Sequence, residues 1–337
     1  MLTPDEARER CQIVLGNVAH GRAPFFGVGG TATLTLGKFI KETYSPWLRA
    51  NRPRSAVQGL QRLQTIFGHW NNAPLESITV DGVERWKLAR IEQGLQPSTI
   101  LRDLYALSGV LSHAVKRGKL SENILRKVDK PRMDRSPKVR YLSADENQRL
   151  RNALRARDTE MRKARDSANQ WRKSRGEPLL PKLGDYADHL EPAILLSLNT
   201  GVRRGELLAL KWSAVNLIGR SLTIEGATAK SLQTRHVPLN AEAAEVLKCW
   251  QKQSAGDRVF PFTGFKTAWN ALLERASIKS FRWHDMRHDF ASRLASKGVA
   301  LNTVRELLGH GSLAMTLRYA HLAPDQKADA VALLNSL

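Results

Sequence analysis

The chain has almost no cysteine: Cys11 and Cys249 are the only two among 337 residues, and they lie far apart in the sequence. This excludes a disulfide framework and a zinc site built from cysteines. Apolar runs are short, and none approaches the roughly 20 residues that span a bilayer. The first 20 residues carry five charges where a signal peptide has an apolar segment. We therefore expect a soluble, cytoplasmic protein with no membrane partner.

Acidic residues are few relative to basic ones, with 32 Asp and Glu against 53 Lys and Arg and a formal net charge of +21. Such an excess of positive charge indicates a polyanionic partner, and nucleic acid is favoured. Hydrophobic residues make up 42% of the chain, which is enough to form cores. Because the length exceeds the usual size of one domain, we expect two folded units and an appendage.

The first 140 residues divide into three parts by their patterns. Residues 1–31 predict a short helical appendage followed by a linker that contains Gly and Pro. Residues 32–125 predict a small all-helical domain, whose third helix opens after Pro97 and Ser98 and stops at Gly118. Residues 126–140 contain two prolines among seven Lys and Arg residues. We interpret them as an extended basic linker between domains.

Residues 141–322 predict a second domain, which opens with a long helix. Ser143 followed by Glu146 is typical of a helix N-terminus, because the two side chains can cap the first backbone N–H groups. Residues 151–175, which continue this helix, contain nine basic and three acidic residues. Two interpretations of this segment stay open, a solvated helix and an insertion that faces DNA.

One pair of strands interrupts the helices of the second domain. Residues 221–225 alternate apolar and polar side chains, residues 226–233 form the turn region, and residues 234–239 return. The fold class expected is therefore mainly α with a small β-sheet. The helices that we expect around and after this pair span residues 192–198, 204–212, 241–251, 265–276, 284–296, 301–308, 312–320 and 325–334.

Three short segments carry side chains suited to phosphodiester chemistry. Breaking such a bond without a metal needs an oxygen nucleophile, cations that hold the charged phosphate oxygens, and an acid for the leaving oxygen. Arginine suits the second task because its planar fork binds phosphate with two hydrogen bonds. The segments are T-G-V-R-R-G-E-L-L-A-L at 200–210, H-D-M-R-H-D-F-A at 284–291 and L-G-H-G-S-L-A-M-T-L-R-Y-A-H at 308–321. Taken singly, each is also explained by an ordinary helix start, an amphipathic helix or a packing tyrosine.

Together and in this order, the three segments resemble the three boxes of the tyrosine recombinase, or phage integrase, family. The resemblance extends over residues 33 to 321 or so. It implies a helical core-binding (SAM-like) DNA-binding domain and a mixed α+β catalytic domain. It also implies a site-specific recombinase that cleaves and rejoins DNA through a 3′-phosphotyrosine, with neither a cofactor nor a metal, and that integrates or excises a mobile element such as a prophage.

The resemblance also implies a role for particular residues. Arg203 and Arg287 would clamp the scissile phosphate, and His310 would donate a hydrogen bond to it. Tyr319, nine residues after this histidine, would attack the phosphorus atom.

Three further residues have supporting roles in the same scheme. Glu206 would orient neighbouring groups. His284 would assist proton transfer from the nucleophile, with a role mainly as a hydrogen-bonding group as the alternative. Lys230, in the turn between the two strands, would protonate the leaving 5′-oxygen, although a solvated turn lysine is the alternative. We expect His288 to pack or to support its neighbours without reacting.

The expected partner is double-stranded DNA at attachment or recombination sites. The family implies a homo-tetramer on two DNA sites, with a host factor or an excisionase as optional partners. Residues 1–31 resemble the end of an arm-binding domain, and residues 323–337 resemble a helix that docks on a neighbouring protomer, with packing on its own domain as the alternative. Three other functions stay open: a Xer-like resolvase of the same chemistry, a type IB topoisomerase, and a catalytically inactive DNA-binding regulator.

Overall fold

The computed structural model describes residues 33–132, 139–226, 233–262 and 264–324, with residues 3, 4, 8, 11, 12 and 15 near the N-terminus. The chain divides into two compact units between Arg135 and Ser136. The expected appendage falls almost entirely outside the described residues, and the helix expected at 325–334 falls wholly outside them. Within the described part, no helix is both long enough and apolar enough to cross a membrane.

The first unit is helical in its described residues. Its helices are α1 (Leu36–Phe39), α2 (Ser45–Asn51), α3 (Pro53–Phe67), α4 (Val80–Glu92) and α5 (Pro97–Lys116), with a π-helical turn at Ile40–Tyr44 and 3₁₀ turns at Gly68–Trp70, Leu75–Ser77 and Ile124–Arg126. The helix predicted to open after Pro97 and Ser98 and to stop at Gly118 is confirmed, and it already begins at Pro97. Proline fits the first turn of a helix, where no partner for its missing N–H is needed. Gly118 follows α5 with a φ of +66°.

The second unit combines helices with one small sheet. Its helices are α6 (Ala144–Ser174), α7 (Leu190–Thr200), α8 (Arg204–Ala209), α9 (Ala241–Gln251), α10 (Lys266–Arg275), α11 (Asp285–Ser296) and α12 (Leu301–Leu308). Short 3₁₀ helices lie at Trp212–Ala214, Leu313–Met315 and Leu317–Leu322. The expectations for α9 and α12 are confirmed at both ends, whereas the helix expected over 204–212 ends at Ala209.

The sheet has three antiparallel strands, β1 (Val215–Asn216), β2 (Ser221–Ile224) and β3 (Arg235–Pro238), in the order β1-β2-β3. The predicted pair is confirmed, and Leu222 lies opposite Val237 with both side chains buried. Strand β1 was not predicted, because two residues are too few to show an alternating pattern.

Helix α7 lies at the centre of the second unit, and all of its residues except Glu191 are buried. It packs against α9 and α11. Most of its side chains are apolar, and the buried Ser197, Asn199 and Thr200 bond to carbonyls one turn back, so the helix can be surrounded by protein. The end of α7 therefore brings the first box directly to α11, which carries the second box.

Helix α6 is capped as predicted, since the Ser143 side chain accepts from the backbone of Glu146 and the Glu146 carboxylate accepts from the backbone of Ser143. The helix then continues for 31 residues, through almost all of the basic segment. Arg162, Arg165 and Arg172 donate side-chain hydrogen bonds of 2.7 to 2.9 Å to backbone carbonyls between Pro178 and Asp185. These three guanidinium groups thus hold the segment that returns from α6.

The expectation of a regular helix over residues 312–320 was wrong. The chain forms the two 3₁₀ helices Leu313–Met315 and Leu317–Leu322 instead. The backbone N–H of Thr316 donates to Leu313 at 2.7 Å, and that of Tyr319 donates to Thr316 at 3.0 Å. Bonds to the third residue back wind the chain more tightly than an α-helix. This winding decides where the Tyr319 side chain lies.

Candidate active site

Residues from all three boxes line one cavity of about 560 Å³ in the second unit. Its described lining residues include three arginines and three histidines and no carboxylate. They are Arg203, His284, Arg287, His288, Gly309, His310, Gly311, Met315, Arg318 and Tyr319. A concave site lined by guanidinium and imidazole groups favours an anion such as a phosphate.

A left-handed glycine brings the first box against the second. Gly201 ends α7 with a φ of +62°, and Arg203 follows two residues later at the start of α8. A Cβ atom at Gly201 would lie 2.6 Å from Cδ1 of Phe290 on α11. Only glycine allows both this backbone conformation and this close approach.

Glu206 lies behind Arg203 and does not line the cavity. Its Oε1 accepts from Nη1 of Arg203 at 2.8 Å, and its Oε2 accepts from the backbone N–H of Arg203 at 2.9 Å. Arg235 on β3 donates to the same carboxylate from Nη2 at 2.7 Å and from Nη1 at 3.1 Å. Burial alone would raise the pKa of Glu206, but the hydrogen bonds and charge of Arg235, joined by Arg203, lower this pKa to about 2.

Sequence reasoning missed Arg235 as part of the site. Its signal was present, because alternation along a strand places Arg235 on the same face as the buried Val237. An arginine that faces a core needs a carboxylate or several carbonyls as partners. Here Nε of Arg235 also donates to the carbonyl of Leu307 at 3.0 Å, which ties β3 to the end of α12.

Arg287 is buried and joins the three boxes through backbone carbonyls. Its Nη1 donates to the carbonyl of Gly201 at 2.8 Å, and its Nη2 donates to that of Leu308. Burial, followed by the nearby charge of Arg203, lowers the pKa of Arg287 to about 9. The guanidinium group therefore remains charged at neutral pH.

His310 follows a second left-handed glycine, Gly309, which ends α12 with a φ of +62°. A Cβ atom at Gly309 would lie 2.9 Å from Cδ of Arg235, so this approach also requires glycine. Nδ1 of His310 lies 2.9 Å from the hydroxyl of the buried Thr316. Burial, with Arg287 and Arg203 nearby, lowers the pKa of His310 to about 3. The ring is therefore neutral at pH 7, and its Nε2 is the nitrogen left for a ligand.

Tyr319 is fully buried, and its hydroxyl oxygen lies 2.6 Å from Nδ1 of His288. The ring of His284 stands perpendicular to that of His288, with 5.2 Å between the ring centroids. Burial raises the pKa of Tyr319 and lowers the pKa of His288 to about 4. We expected His288 to pack or to support its neighbours, and the neighbour that it contacts is the tyrosine hydroxyl. Its spacing of four residues from His284 on one helix face was the sequence signal.

Lys230 lies outside the described residues, as do its neighbours from 227 to 232. The site is thus described for Arg203, Glu206, His284, Arg287, His310 and Tyr319.

Comparison with known proteins agrees with this architecture. The model of the phage integrase family matches residues 184–326, which include all three boxes. The integrase of Salmonella phage P22 is 32% identical over 176 residues, which are 46% of this chain and 45% of that protein. The XerC-like tyrosine recombinase of Caldanaerobacter subterraneus is 29% identical over 193 residues, 44% of this chain and 49% of that protein. This chain therefore spans about half the length of these two curated relatives.

Another relative matches along most of its length: the tyrosine recombinase XerC of Xanthomonas campestris is 28% identical over 329 residues, 90% of each chain. Two solved structures share the fold. One is a lambda integrase dimer bound to a COC′ core site, with a TM-score of 0.65, 18% identity and coverage of 95% of this chain and 88% of that one. The other is the Tn1549 transposon integrase in complex with transposon right end DNA, with a TM-score of 0.66, 18% identity and coverage of 90% and 100%.

The mainly helical fold with a small sheet is the fold of these solved integrases, and its cavity collects the three boxes. The family model that matches residues 184–326 and the named relatives are similar to the part of the chain that forms this cavity. Residues 184–326 thus carry a domain that matches the phage integrase family.

Proposed function

We propose that this protein is a site-specific DNA recombinase, an integrase that cleaves and rejoins DNA strands through a 3′-phosphotyrosine intermediate. One observation carries the proposal: Arg203, Arg287, His310 and Tyr319, which come from three separate parts of the sequence, line the same cavity. A nucleophilic oxygen beside fixed cations and neutral hydrogen-bond donors is what transfer of a phosphodiester requires.

The phosphate would be held by groups that are already fixed. Arg287 keeps its orientation through two buried carbonyls, and Arg203 keeps its own through Glu206. His310 would donate from Nε2, because Thr316 engages its Nδ1. Preorganised donors of this kind stabilise the charge that builds up on the phosphate oxygens without reorganising during the reaction.

Tyr319 would attack the phosphorus atom and leave a free 5′-hydroxyl group. His284 lines the same cavity and would contact the phosphate or assist proton transfer. We propose Lys230 as the acid for the leaving oxygen, since the normal pKa of lysine is high enough for it to carry a proton at neutral pH. The bond to tyrosine conserves the energy of the broken phosphodiester, so a second hydroxyl can reverse the step.

The substrate that we propose is duplex DNA at two attachment or recombination sites, bound by four copies of this chain. The net charge of +21 supports a polyanionic partner. A solved lambda integrase of the same fold is a tetramer bound to a Holliday junction, with a TM-score of 0.61. The phage and transposon integrases among the similar proteins support a role in integrating or excising a mobile element.

A Xer-like resolvase of the same chemistry is the second candidate. The observation that favours it is the match to XerC of Xanthomonas campestris, which covers 90% of both chains, whereas the P22 integrase matches less than half of either. Both candidates use the same cavity and differ in the DNA sites on which they act.

The test is a search for a covalent adduct. The full chain is first used to enrich the duplexes that it binds from a random-sequence library. These duplexes are then nicked and incubated with the protein in the absence of magnesium and ATP. The mixture is finally denatured. We expect an adduct with the wild type, none with Tyr319→Phe, and a normal amount with Tyr141→Phe, a partly exposed tyrosine of the same unit. An adduct that survives in Tyr319→Phe would refute the assignment of the nucleophile.

Two other outcomes would point to different functions. Relaxation of any supercoiled plasmid without recombination would favour a topoisomerase. Tight binding of the enriched duplex without adduct or relaxation would favour an inactive regulator. Recombination between two copies of the enriched site would support the recombinase directly.

A further inference from the structure

We propose that a basic projection of the second unit binds the phosphate backbone of duplex DNA outside the cavity that the three boxes line. The projection consists of residues 155–184, which are the last 20 residues of α6 and the segment that returns from it. This inference rests on the proposed function, because it takes DNA as the substrate. The match to the phage integrase family begins only at residue 184, so residues 155–183 lie outside it.

The projection extends away from the hydrophobic core of its unit. Helix α6 packs through Leu150, Ala153 and Leu154, whereas no residue from Arg155 to His189 is buried. At about 1.5 Å per residue, the helical residues beyond Leu154 reach about 30 Å. A helix without a buried apolar face gains little from packing, so other contacts must hold this segment in place.

Polar side chains on one side of α6 hold the returning segment. Four of them follow one another at spacings of three, four and three residues: Arg162, Arg165, Asn169 and Arg172. The amide group of Asn169 exchanges two hydrogen bonds with the backbone of Leu180, at 2.8 and 3.0 Å. One turn earlier, Arg165 donates to the carbonyl of Pro181 at 2.7 Å. The projection is therefore a fixed structure, although no core supports it.

The projection carries positive charge that its own carboxylates do not cancel. Its 30 residues include nine basic and four acidic residues, a net charge of +5. Only two of the nine basic side chains form ion pairs with described residues, Arg157 with Asp188 and Arg162 with Asp158. Arg165 donates instead to a neutral carbonyl, which leaves its charge in place. Repulsion among these cations costs free energy, and binding to a polyanion removes that cost.

Three lysines of the projection are available to bind phosphate. Lys163, Lys173 and Lys182 are exposed, and none of them forms a hydrogen bond or an ion pair with a described side chain. Lys163 and Lys173 are ten residues apart on α6, which is about 15 Å along its axis. Lys182 lies on the returning segment. The cations are thus spread along the projection, which suits a linear polyanion such as DNA, with one charge per about 1.7 Å.

The far end of the projection carries an arginine that stacks on an aromatic ring. The guanidinium carbon of Arg175 lies 4.3 Å from the ring centroid of Trp171, a residue that is 51% exposed. Stacking orients the guanidinium plane and leaves its N–H groups for a ligand. An arginine that is already oriented loses less entropy when it binds phosphate with two hydrogen bonds.

Two other occupants fit this surface less well. A second copy of the chain would bring its own net charge of +21, so like charges would oppose the contact. Docking onto an apolar protein surface needs a large apolar patch. The projection offers only Trp171 and Leu179 as exposed large hydrophobic residues.

The test is the salt dependence of DNA binding by the double variant Lys163→Gln/Lys173→Gln of the full chain. The probe is the intact duplex enriched from the random-sequence library, and the readout is fluorescence anisotropy over a series of salt concentrations. We expect the affinity to fall about tenfold or more at low salt. The slope of log affinity against log salt should become less steep by about 2, since each lost phosphate contact removes about 0.9.

The matched control is Lys211→Gln/Lys248→Gln, which removes the same charge from the same unit. These two lysines are exposed, but each lies within 4 Å of a carboxylate, Lys211 at 3.4 Å from Asp257 and Lys248 at 3.9 Å from Glu245. The control should keep a slope close to that of the wild type. Both variants should unfold at the wild-type urea concentration, because exposed substitutions of this kind change stability little.

A hydroxyl-radical footprint locates the contact on the DNA. The projection spans about 30 Å, which corresponds to about nine base pairs, so the Lys163→Gln/Lys173→Gln variant should lose protection over a stretch of at most about that length. A footprint that keeps its full wild-type extent would overturn the proposed contact.

Two results of the binding assay would also overturn the inference: a wild-type slope in the projection variant, or an equal loss of slope in the control. Failure of the proposed function has a different signature. If the wild type formed no adduct while the projection variant still lost slope and footprint, the chemistry assigned to Tyr319 would be wrong and the DNA contact would stand.

Discussion

Replacing Arg235 with Gln should destabilise the second unit strongly, although Arg235 does not line the cavity. The side chains of Arg235 and Glu206 are 8% and 2% exposed, so their pair is shielded from solvent. The pKa of Glu206 lies at about 2, against an ordinary 4.5. At about 1.4 kcal/mol per pKa unit, this difference corresponds to about 3.5 kcal/mol of folding free energy at neutral pH.

Most of that stabilisation depends on Arg235, which is the largest cause that lowers this pKa. Breaking one partner of a buried ion pair costs about 3 to 5 kcal/mol, in agreement with this magnitude. The effect has a defined pH window. Because the folded-state pKa of Glu206 is depressed, its contribution is complete above about pH 4.5 and is lost as the pH falls towards 2.

The assay is urea unfolding of the full chain, followed by circular dichroism at pH 7 and at steps down to pH 3. Arg235→Gln should lower the free energy of unfolding by about 3 kcal/mol at pH 7 and less at low pH. The matched control is Arg275→Gln, which breaks a surface pair with Glu160 whose side chains are 40% and 61% exposed. That change should cost at most about 1 kcal/mol. Equal losses in the two variants would refute the reasoning.

Three further outcomes are expected. Gly201→Ala should lower the free energy of unfolding by at least about 1 kcal/mol and slow adduct formation, because its Cβ would meet Phe290 at a positive φ. The control is Gly205→Ala, which has open space around its Cβ. This change should leave the rate of adduct formation unchanged and leave the free energy of unfolding unchanged or slightly higher. Thr316→Val should slow adduct formation about tenfold, since it removes the hydroxyl that fixes Nδ1 of His310, and an unchanged rate would contradict this role. The affinity for duplex DNA, measured by fluorescence anisotropy, should fall steeply and log-linearly with salt concentration, and a salt-independent affinity would count against binding through phosphates.

Local patterns predicted much of the fold. Ala241–Gln251 and Leu301–Leu308 were placed at both ends because apolar periodicity and capping residues act within a few positions of the chain. The capping box at Ser143 is of the same kind. No local pattern predicts the 3₁₀ winding around Tyr319. Gly311 and Ser312 indicate that a helix begins, but they do not determine whether it is an α-helix or a 3₁₀ helix.

The sequence by itself determined which residue types are available and in what order, which was enough to recognise the three boxes and to name Arg203, Arg287, His310 and Tyr319. Only the tertiary structure decided which side chains meet. It brings Arg235 to Glu206 in a buried ion pair, and it brings the Tyr319 hydroxyl to His288 rather than to His284. Those pairs are 29 and 31 residues apart in the sequence. At such separations the distance between two side chains is set by how helices and strands pack, and no local periodicity encodes it.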